Sequence, residues 1–313
     1  VFYGIQSLKQ LVRAGGTAAL AVPGVQIRDW PALRYRAISD DISRGPVGTM
    51  DYLKKMIRTL AAYKMNMLSF YIEHMFAYQK HPQIGPAGAA LTKEEVKELL
   101  EYARNYRVEL VPEQNSFGHL YHVLKHPEFQ PLRENEHVIT PAKEETYTLL
   151  GDMYSELIPA FDQTDKPTKF IHIGCDETEG LGDGPGREMK KTMGIEGLYA
   201  YHLTRLSELI KPYNKRIMFW GDIALRHPGI IPKLPKDLIA MNWGYDPRDS
   251  FEPGIIAYRD LGFEQFVCPG ISGWGRMYPY NRLAMTNIYN FVRDGVKYNV
   301  MGMMNTTWDD DGE

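Results

Sequence analysis

The chain has 313 residues, of which 44% are hydrophobic and 24% charged, and its formal net charge is −3. These values are ordinary for a globular protein and give no reason to expect disorder, a nucleic-acid partner or binding to an anionic membrane. The only cysteines are Cys175 and Cys268, too few for a disulfide framework, and no run of about 18 apolar residues predicts a membrane span.

Short β-rich runs alternate along the chain with longer segments of helical periodicity. The predicted strands are 35–39, 66–72, 108–112, 169–173, 216–220, 238–243, 264–269 and 300–306. The predicted helical segments are 53–64, 92–103, 147–161, 198–213 and 285–296. In the second of these, Thr92 and Glu95 have the spacing of a capping box.

This alternation is typical of a parallel sheet covered by helices. An open, doubly wound sheet and a closed (β/α)8 barrel are the two candidate architectures. Eight repeats, together with the absence of a G-x-G-x-x-G turn, favour the α/β class with a (β/α)8 TIM barrel over 31–313. The sequence stops at Glu313, soon after the eighth predicted strand, so we expect the eighth helix to be missing.

Polar and aromatic residues follow the predicted strands, at the end where such barrels place their chemistry. The side chains at these positions are Asp40, Asp41, Arg44, Glu73, His74, Glu113, Asn115, His119, Asp176, Glu177, Trp220, Asp222, Trp243, Tyr245, Asp246, Trp274, Trp308, Asp309 and Asp310. Aromatic rings stack on the apolar face of a pyranose, while carboxylates accept hydrogen bonds from its hydroxyls. The combination therefore favours a carbohydrate pocket over a rim of tryptophans that serves packing alone.

The segment KFIHIGCDETEGLG ends an apolar strand in two adjacent acids, Asp176 and Glu177. A metal site is disfavoured because His172 and Cys175 would point to opposite faces of the strand, and no zinc-ligand spacing is present. A solvated loop does not explain the flanking Gly174. A catalytic pair has a chemical reason, since glycosidic cleavage requires one acid for the leaving oxygen and one group that stabilises the developing positive charge.

The motif HIGCDE resembles H-[IV]-G-x-D-E of the family 20 glycoside hydrolases, the β-N-acetylhexosaminidases. LRYRAISDDISRG and ELVPEQNSFGH are similar to the first and third strands of that family, and FWGDI and TTWDDD to its fifth and eighth. YIEHMFAY and SFGHLYHVLKHPEFQPLRE resemble the hexosaminidase D-like branch. YGIQSLKQL and VPGVQIRDWP resemble the last helix and linker of a preceding domain, so the resemblance implies that residues 1–30 are the remnant of an N-terminal α/β domain.

The resemblance implies substrate-assisted catalysis, in which the acetamido oxygen of the substrate is the nucleophile. Asp176 would orient and stabilise that group, Glu177 would be general acid and then general base, and His119 would support Glu177. The implied sugar-binding residues are Arg36 and Asp310 for hydroxyls, and Trp220, Trp243 and Trp308, with Trp274 at the seventh strand, for the walls.

Two departures from the family pattern affect these roles. Glu73-His74 stands where the family has an Asp-Asp segment, so the sequence does not identify the residue that contacts His119. The seventh-strand Tyr-Leu-Asp is absent, and Tyr245 or Tyr278 is the candidate replacement for its tyrosine.

We therefore expect a retaining exo-β-N-acetylhexosaminidase that acts on glycans or glycoconjugates with terminal N-acetylhexosamine and needs no cofactor or metal. A non-catalytic carbohydrate-binding barrel is the alternative, disfavoured because binding alone does not require an acid. Chitinase-like barrels carry differently spaced acids, which this sequence lacks. The sequence does not determine whether GlcNAc or GalNAc is preferred, what the aglycone is, or which oligomeric state the protein has. It also does not determine whether the protein is exported or cytoplasmic.

Overall fold

The structure, a computed structural model, describes residues 1–14 and 20–310. The α-helices are α1 (Phe2–Leu11), α2 (Met50–Ala62), α3 (Lys93–Asn105), α4 (Tyr121–Leu124), α5 (Glu144–Ala160), α6 (Arg187–Ile210), α7 (Asp222–Arg226), α8 (Glu252–Arg259) and α9 (Asn281–Lys297). The strands are β1 (Arg13–Ala14), β2 (Leu20–Ala21), β3 (Tyr35–Asp41), β4 (Met67–Tyr71), β5 (Glu109–Glu113), β6 (Phe170–His172), β7 (Arg216–Trp220), β8 (Ile239–Trp243), β9 (Glu264–Cys268) and β10 (Gly302–Thr307).

Strands β3 to β10 form a closed parallel barrel. Closure occurs where β10 pairs with β3, in a register that runs from Gly302 opposite Tyr35 to Thr307 opposite Asp40. Each of the eight predicted strands corresponds to one barrel strand, with ends that agree within two residues. The prediction of a (β/α)8 barrel is confirmed.

The two faces of a barrel strand meet different parts of the core, as β4 shows. In β4 all five residues are buried. Leu68 and Phe70 belong to the outer cluster, between the strands and the helices. Met67 and Tyr71 belong to the inner cluster that fills the barrel. This two-sided burial is the reason that the strands read as continuous apolar runs.

The chain on either side of the barrel is less regular. Helix α1 contacts the barrel through Gln10, whose side chain donates to the carbonyl of Ala62 at 2.8 Å. Strands β1 and β2 form a small antiparallel hairpin. In the described residues no α-helix follows β10, and no helix is both long and apolar enough to cross a membrane. The boundary at residues 30 and 31 stays a prediction.

The start of α3 shows the capping box that the sequence predicts. The hydroxyl of Thr92 accepts from the backbone N–H of Glu95 at 3.1 Å, and the Glu95 carboxylate accepts from the N–H of Thr92 at 2.9 Å. Two of the N–H groups that a helix start leaves without intrahelical partners are thereby satisfied.

We expect Thr92→Ala to lower the free energy of unfolding by about 1 kcal/mol, because the part-buried N–H of Glu95 loses its side-chain partner. For a chain of this size that corresponds to a decrease of roughly 2–4 °C in Tm, measured by calorimetry. Thr59→Ala is the matched control, since exposed Thr59 lies inside α2 and bonds only the carbonyl of Lys55. A Tm for Thr92→Ala equal to that of the control would contradict the capping role.

Candidate active site

A pocket opens at the C-terminal ends of the barrel strands. Its lining residues are Arg44, Tyr71, His119, Asp176, Glu177, Trp243, Tyr245, Trp274, Trp308 and Asp310. The pocket thus brings together both adjacent acids, the predicted histidine and most of the predicted aromatic wall. Arg36, Trp220 and Tyr278 do not line it.

The two acids lie on an unusually turned backbone just after β6. Gly174, Cys175 and Glu177 have positive φ values of 66°, 78° and 44°. Such angles are unfavourable for residues with a Cβ, so the surrounding structure must hold them. The Tyr199 hydroxyl does so in part, by donating to the carbonyl of Cys175 at 2.7 Å.

The turn gives the neighbouring acids different surroundings. The side chain of Asp176 is only 11% exposed, whereas that of Glu177 is 48% exposed. Gly118 lies directly against the Asp176 backbone, and a Cβ there would overlap the Asp176 carbonyl oxygen. One Asp176 oxygen, Oδ1, is buried and has no hydrogen-bond partner among the residues that the structure describes.

His119 bridges both acids. Its Nε2 lies 3.1 Å from Glu177 Oε2 and 3.4 Å from Asp176 Oδ2. Burial opposes a charge on the imidazole, but the two carboxylates outweigh it and raise the pKa of His119 to about 11. The hydrogen bond from His119 in turn lowers the pKa of Glu177. At neutral pH the free site therefore holds a protonated His119 beside an ionised Glu177.

Asp222 adds a further carboxylate behind Glu177. Its Oδ2 accepts from the N–H of Glu177 at 3.4 Å and from Arg226 at 2.7 Å. Burial, followed by repulsion from Asp176, raises the pKa of Asp222 to about 7. Asp222 therefore helps to fix the backbone of Glu177 from outside the pocket lining.

Arg44 supplies the positive charge on the opposite side of the pocket. Asp41 holds it, accepting from its Nε at 2.7 Å and from its backbone N–H at 3.2 Å. The guanidinium pairs with Asp310 and lies 4.9 Å and 5.1 Å from the ring centres of Tyr71 and Trp308. A cation, a carboxylate and two aromatic rings thus form one wall.

The placement of Arg36 in the pocket is wrong. Arg36 lies near the start of β3, where its side chain donates to the carbonyls of Lys64 at 2.8 Å and Leu33 at 2.7 Å. The pocket lies at the other end of this strand, and a strand advances about 3.3 Å per residue. Arg44, after the C-terminal end of β3, occupies the position predicted for Arg36.

Aromatic side chains stabilise one another around the rest of the pocket. Trp243 stacks on Tyr245 with ring centres 5.0 Å apart, and Trp274 meets Tyr245 edge-on at 4.8 Å. Trp308 Nε1 donates to the Tyr245 hydroxyl at 2.7 Å. Of the two candidate tyrosines, Tyr245 lies in the pocket, while Tyr278 is 78% exposed on a loop.

Trp220 lies beneath the pocket rather than in its wall. It is fully buried, meets Trp308 edge-on at 5.7 Å, and donates its Nε1 to Glu113 at 2.6 Å. Burial and then the charge of Asp176 raise the pKa of Glu113. Trp220 therefore supports Trp308 from below.

The sequence placed Arg44 at the pocket end of the first strand without giving it a role, and it gave no indication of Tyr71 as a lining residue. Arg44 has a signal, since it is the last residue of the first-strand motif DDISR. Tyr71 ends β4, and alternation along the strand directs it to the barrel interior. There its hydroxyl accepts from Asn115 Nδ2 at 3.1 Å.

Comparison with known proteins agrees with this architecture. Residues 33–253 match the family model described as "Glycosyl hydrolase family 20, catalytic domain". A Beta-hexosaminidase of Porphyromonas gingivalis is 25% identical over 87% of this chain and 38% of its own length. The human Hexosaminidase D is 27% identical over 71% of this chain and 48% of its own length. The chain thus spans half or less of the length of these two relatives.

Solved structures show the same fold. The Flavobacterium johnsoniae chitobiase has a TM-score of 0.77 and 22% identity, with 98% of this chain and 49% of that chain covered. Because the family model covers most of the barrel, including β6 and the acids that follow it, the chain belongs to glycosyl hydrolase family 20.

Proposed function

We propose that this chain is a retaining exo-β-N-acetylhexosaminidase, which removes a terminal β-linked GlcNAc or GalNAc residue by substrate-assisted catalysis. The observation that carries the proposal is the pair Asp176 and Glu177, bridged by His119 in an aromatic-walled pocket. The family membership and the relatives named as hexosaminidases support it.

In the first step, the acetamido oxygen of the substrate attacks the anomeric carbon while the bond to the aglycone breaks. Glu177 donates a proton to the leaving oxygen. Asp176 accepts a hydrogen bond from the acetamido N–H, and its buried Oδ1, which has no partner within residues 1–14 and 20–310, is available for it. Its negative charge then stabilises the oxazolinium-type intermediate.

In the second step, Glu177 takes a proton from water, which attacks the anomeric carbon. The bond between that carbon and the acetamido oxygen breaks, so the acetamido group is regenerated and the original configuration is restored. The reaction requires protonated Glu177 at its start, although the free site favours the carboxylate. Substrate that displaces water from the half-exposed Glu177 favours the protonated form, since desolvation raises the pKa of an acid.

The wall opposite the acids binds the sugar hydroxyls. Arg44 donates from its guanidinium and Asp310 accepts, in the roles that the resemblance gave to Arg36 and Asp310. Trp243, Trp274 and Trp308 enclose the ring and the acetamido methyl. Tyr245 takes the place of the missing seventh-strand tyrosine, because its hydroxyl faces the pocket beside Trp308.

We expect Glu177→Gln to lower hydrolysis of chitobiose by roughly 10²–10⁴-fold and that of p-nitrophenyl β-GlcNAc by less, because p-nitrophenolate leaves without a proton. Asp176→Asn should lower both rates by about 10²–10³-fold, since charge stabilisation is needed for either leaving group. Initial rates on both substrates provide the measurement.

Glu179→Gln is the matched control, because Glu179 is exposed, lies two residues away and pairs only with Arg226. Its rates should stay close to those of the parent. Near-parental hydrolysis of chitobiose by Glu177→Gln would remove the acid role. If the parent hydrolyses neither substrate but binds a thiazoline mimic, the result would favour the non-catalytic binding barrel.

The pH dependence of kcat/KM tests the contact between His119 and Glu177. The acid role requires protonated Glu177, so activity is lost as pH rises through the pKa of Glu177. The hydrogen bond from His119 lowers that pKa, and its removal in His119→Gln should raise it. We therefore expect the alkaline limb of the profile to move to higher pH in this variant, whatever its maximal rate. An alkaline limb that stays in place or moves to lower pH would contradict the assignment.

Arg44→Lys separates the two arginine assignments. Lysine keeps the charge but loses the forked geometry that contacts Asp310 and a sugar hydroxyl together, so we expect kcat/KM to fall by about 10–100-fold. Arg36→Lys should lower Tm but leave kcat/KM near the parental value, since Arg36 bonds only backbone carbonyls at the opposite end of β3. Equal kinetic losses in the two variants would restore Arg36 to the site.

A further inference from the structure

We propose that Glu73, His74 and His122 form a site for one divalent transition-metal ion, with Zn²⁺ as the favoured ion, beside the active-site pocket. Each residue offers one ligand atom, and these three atoms lie within 4.8 Å of one another. Glu73 and His74 follow β4, and His122 lies on the short helix α4. A bound ion would join the loop after β4 to α4.

Glu73 is a buried carboxyl group with no Lys or Arg at ion-pair distance among the described residues. It is 3% exposed, and its Oε1 accepts from the N–H of His122 at 2.8 Å. Within residues 1–14 and 20–310, the one basic group at ion-pair distance is His74, whose Nδ1 lies 3.9 Å from Glu73 Oε2. No cation from the described part of the chain is in direct contact with this buried carboxyl group, so a metal ion could bind there and offset the cost of burying its charge.

His74 supplies a second ligand atom, Nδ1, which has no hydrogen-bond partner among the described residues. Its side chain is 9% exposed, and its Nδ1 is buried. Its position beside Glu73 and its free ring nitrogen leave His74 available to coordinate a metal ion.

The ring of His122, the third ligand, must rotate before its nitrogen can coordinate the ion. The rings of His74 and His122 are stacked 4.1 Å apart at 19°, so their nitrogen lone pairs run side by side instead of converging. His122 is half-buried and its ring can rotate, whereas buried His74 stays in place. Lys125 Nζ lies 3.3 Å from His122 Nδ1, and this exposed ammonium must move into solvent when the ion binds.

The ligand set determines the kind of metal. Two imidazoles and one carboxylate are the protein ligands of many catalytic zinc centres, in which water fills the fourth position. Ca²⁺ and Mg²⁺ prefer all-oxygen sites and are disfavoured here. Ligand spacing did not predict the site, because Glu73 and His74 are adjacent and His122 is far along the chain. The proposal thus departs from the sequence-based expectation of no metal.

The test uses the complete 313-residue chain after chelator treatment, titrated with Zn²⁺ by calorimetry and with Co²⁺ by visible absorption. We expect saturation at about one ion per chain, a Co²⁺ spectrum typical of tetrahedral coordination, and no saturable binding of Mg²⁺. His122→Gln and Glu73→Gln should each weaken Zn²⁺ binding by at least about tenfold. Circular dichroism and Tm of each metal-free variant establish that it is folded.

His137→Gln is the matched control for adventitious binding. His137 is exposed, its Nε2 lies 3.5 Å from Glu136, and its ring is 5.5 Å from Tyr121 on α4. This variant should bind Zn²⁺ as the parent does. Absence of saturable binding by the parent, parental affinity in His122→Gln, or loss of binding in His137→Gln would each overturn the proposal. Should buried Glu73→Gln fail to fold, half-exposed His122→Gln decides the outcome.

Discussion

The contact of His119 with Asp176 and Glu177 is the interaction on which the rest of the site depends. Two adjacent carboxylates repel each other, and burial makes the charge of Asp176 more costly still. One imidazolium, 3.4 Å from Asp176 and 3.1 Å from Glu177, offsets both costs. The same contact keeps the exposed acid ionised in the free site, so substrate binding and protonation of Glu177 are coupled.

This contact requires a strained backbone that only a rigid scaffold can hold. Positive φ angles occur at His119, Cys175 and Glu177, and each costs about 1–3 kcal/mol for a residue other than glycine. The bond from Tyr199 to Cys175 and the close approach of Gly118 to Asp176 hold these turns in place. The strain lies where two loops meet, above fully buried strands, which is typical of functional sites in this kind of barrel.

The sequence predicted the elements and site residues that have a local sequence pattern. It did not predict which residues of a strand or loop reach the pocket. Strand runs, the Thr92 cap and the acids after β6 have local signals, and all were found. Arg36 and Arg44 both belong to the first-strand motif, and only the true extent of β3 shows which arginine reaches the pocket. Trp220 and Tyr278 lie outside the pocket lining for different reasons. Trp220 is buried beneath Trp308, whereas Tyr278 lies on an exposed loop.

Local patterns marked Arg44 and Asp310 as residues that follow the first and eighth strands, but the contact between them depends on closure of the barrel, which no local pattern shows. Asp310 follows β10 and Arg44 follows β3, the two strands whose pairing completes the barrel. Asp41 accepts from Arg44 and also from the N–H of Asp309, across 268 residues of sequence. Because Asp310 reaches Arg44 only when β10 pairs with β3, closure of the barrel also assembles this wall of the pocket.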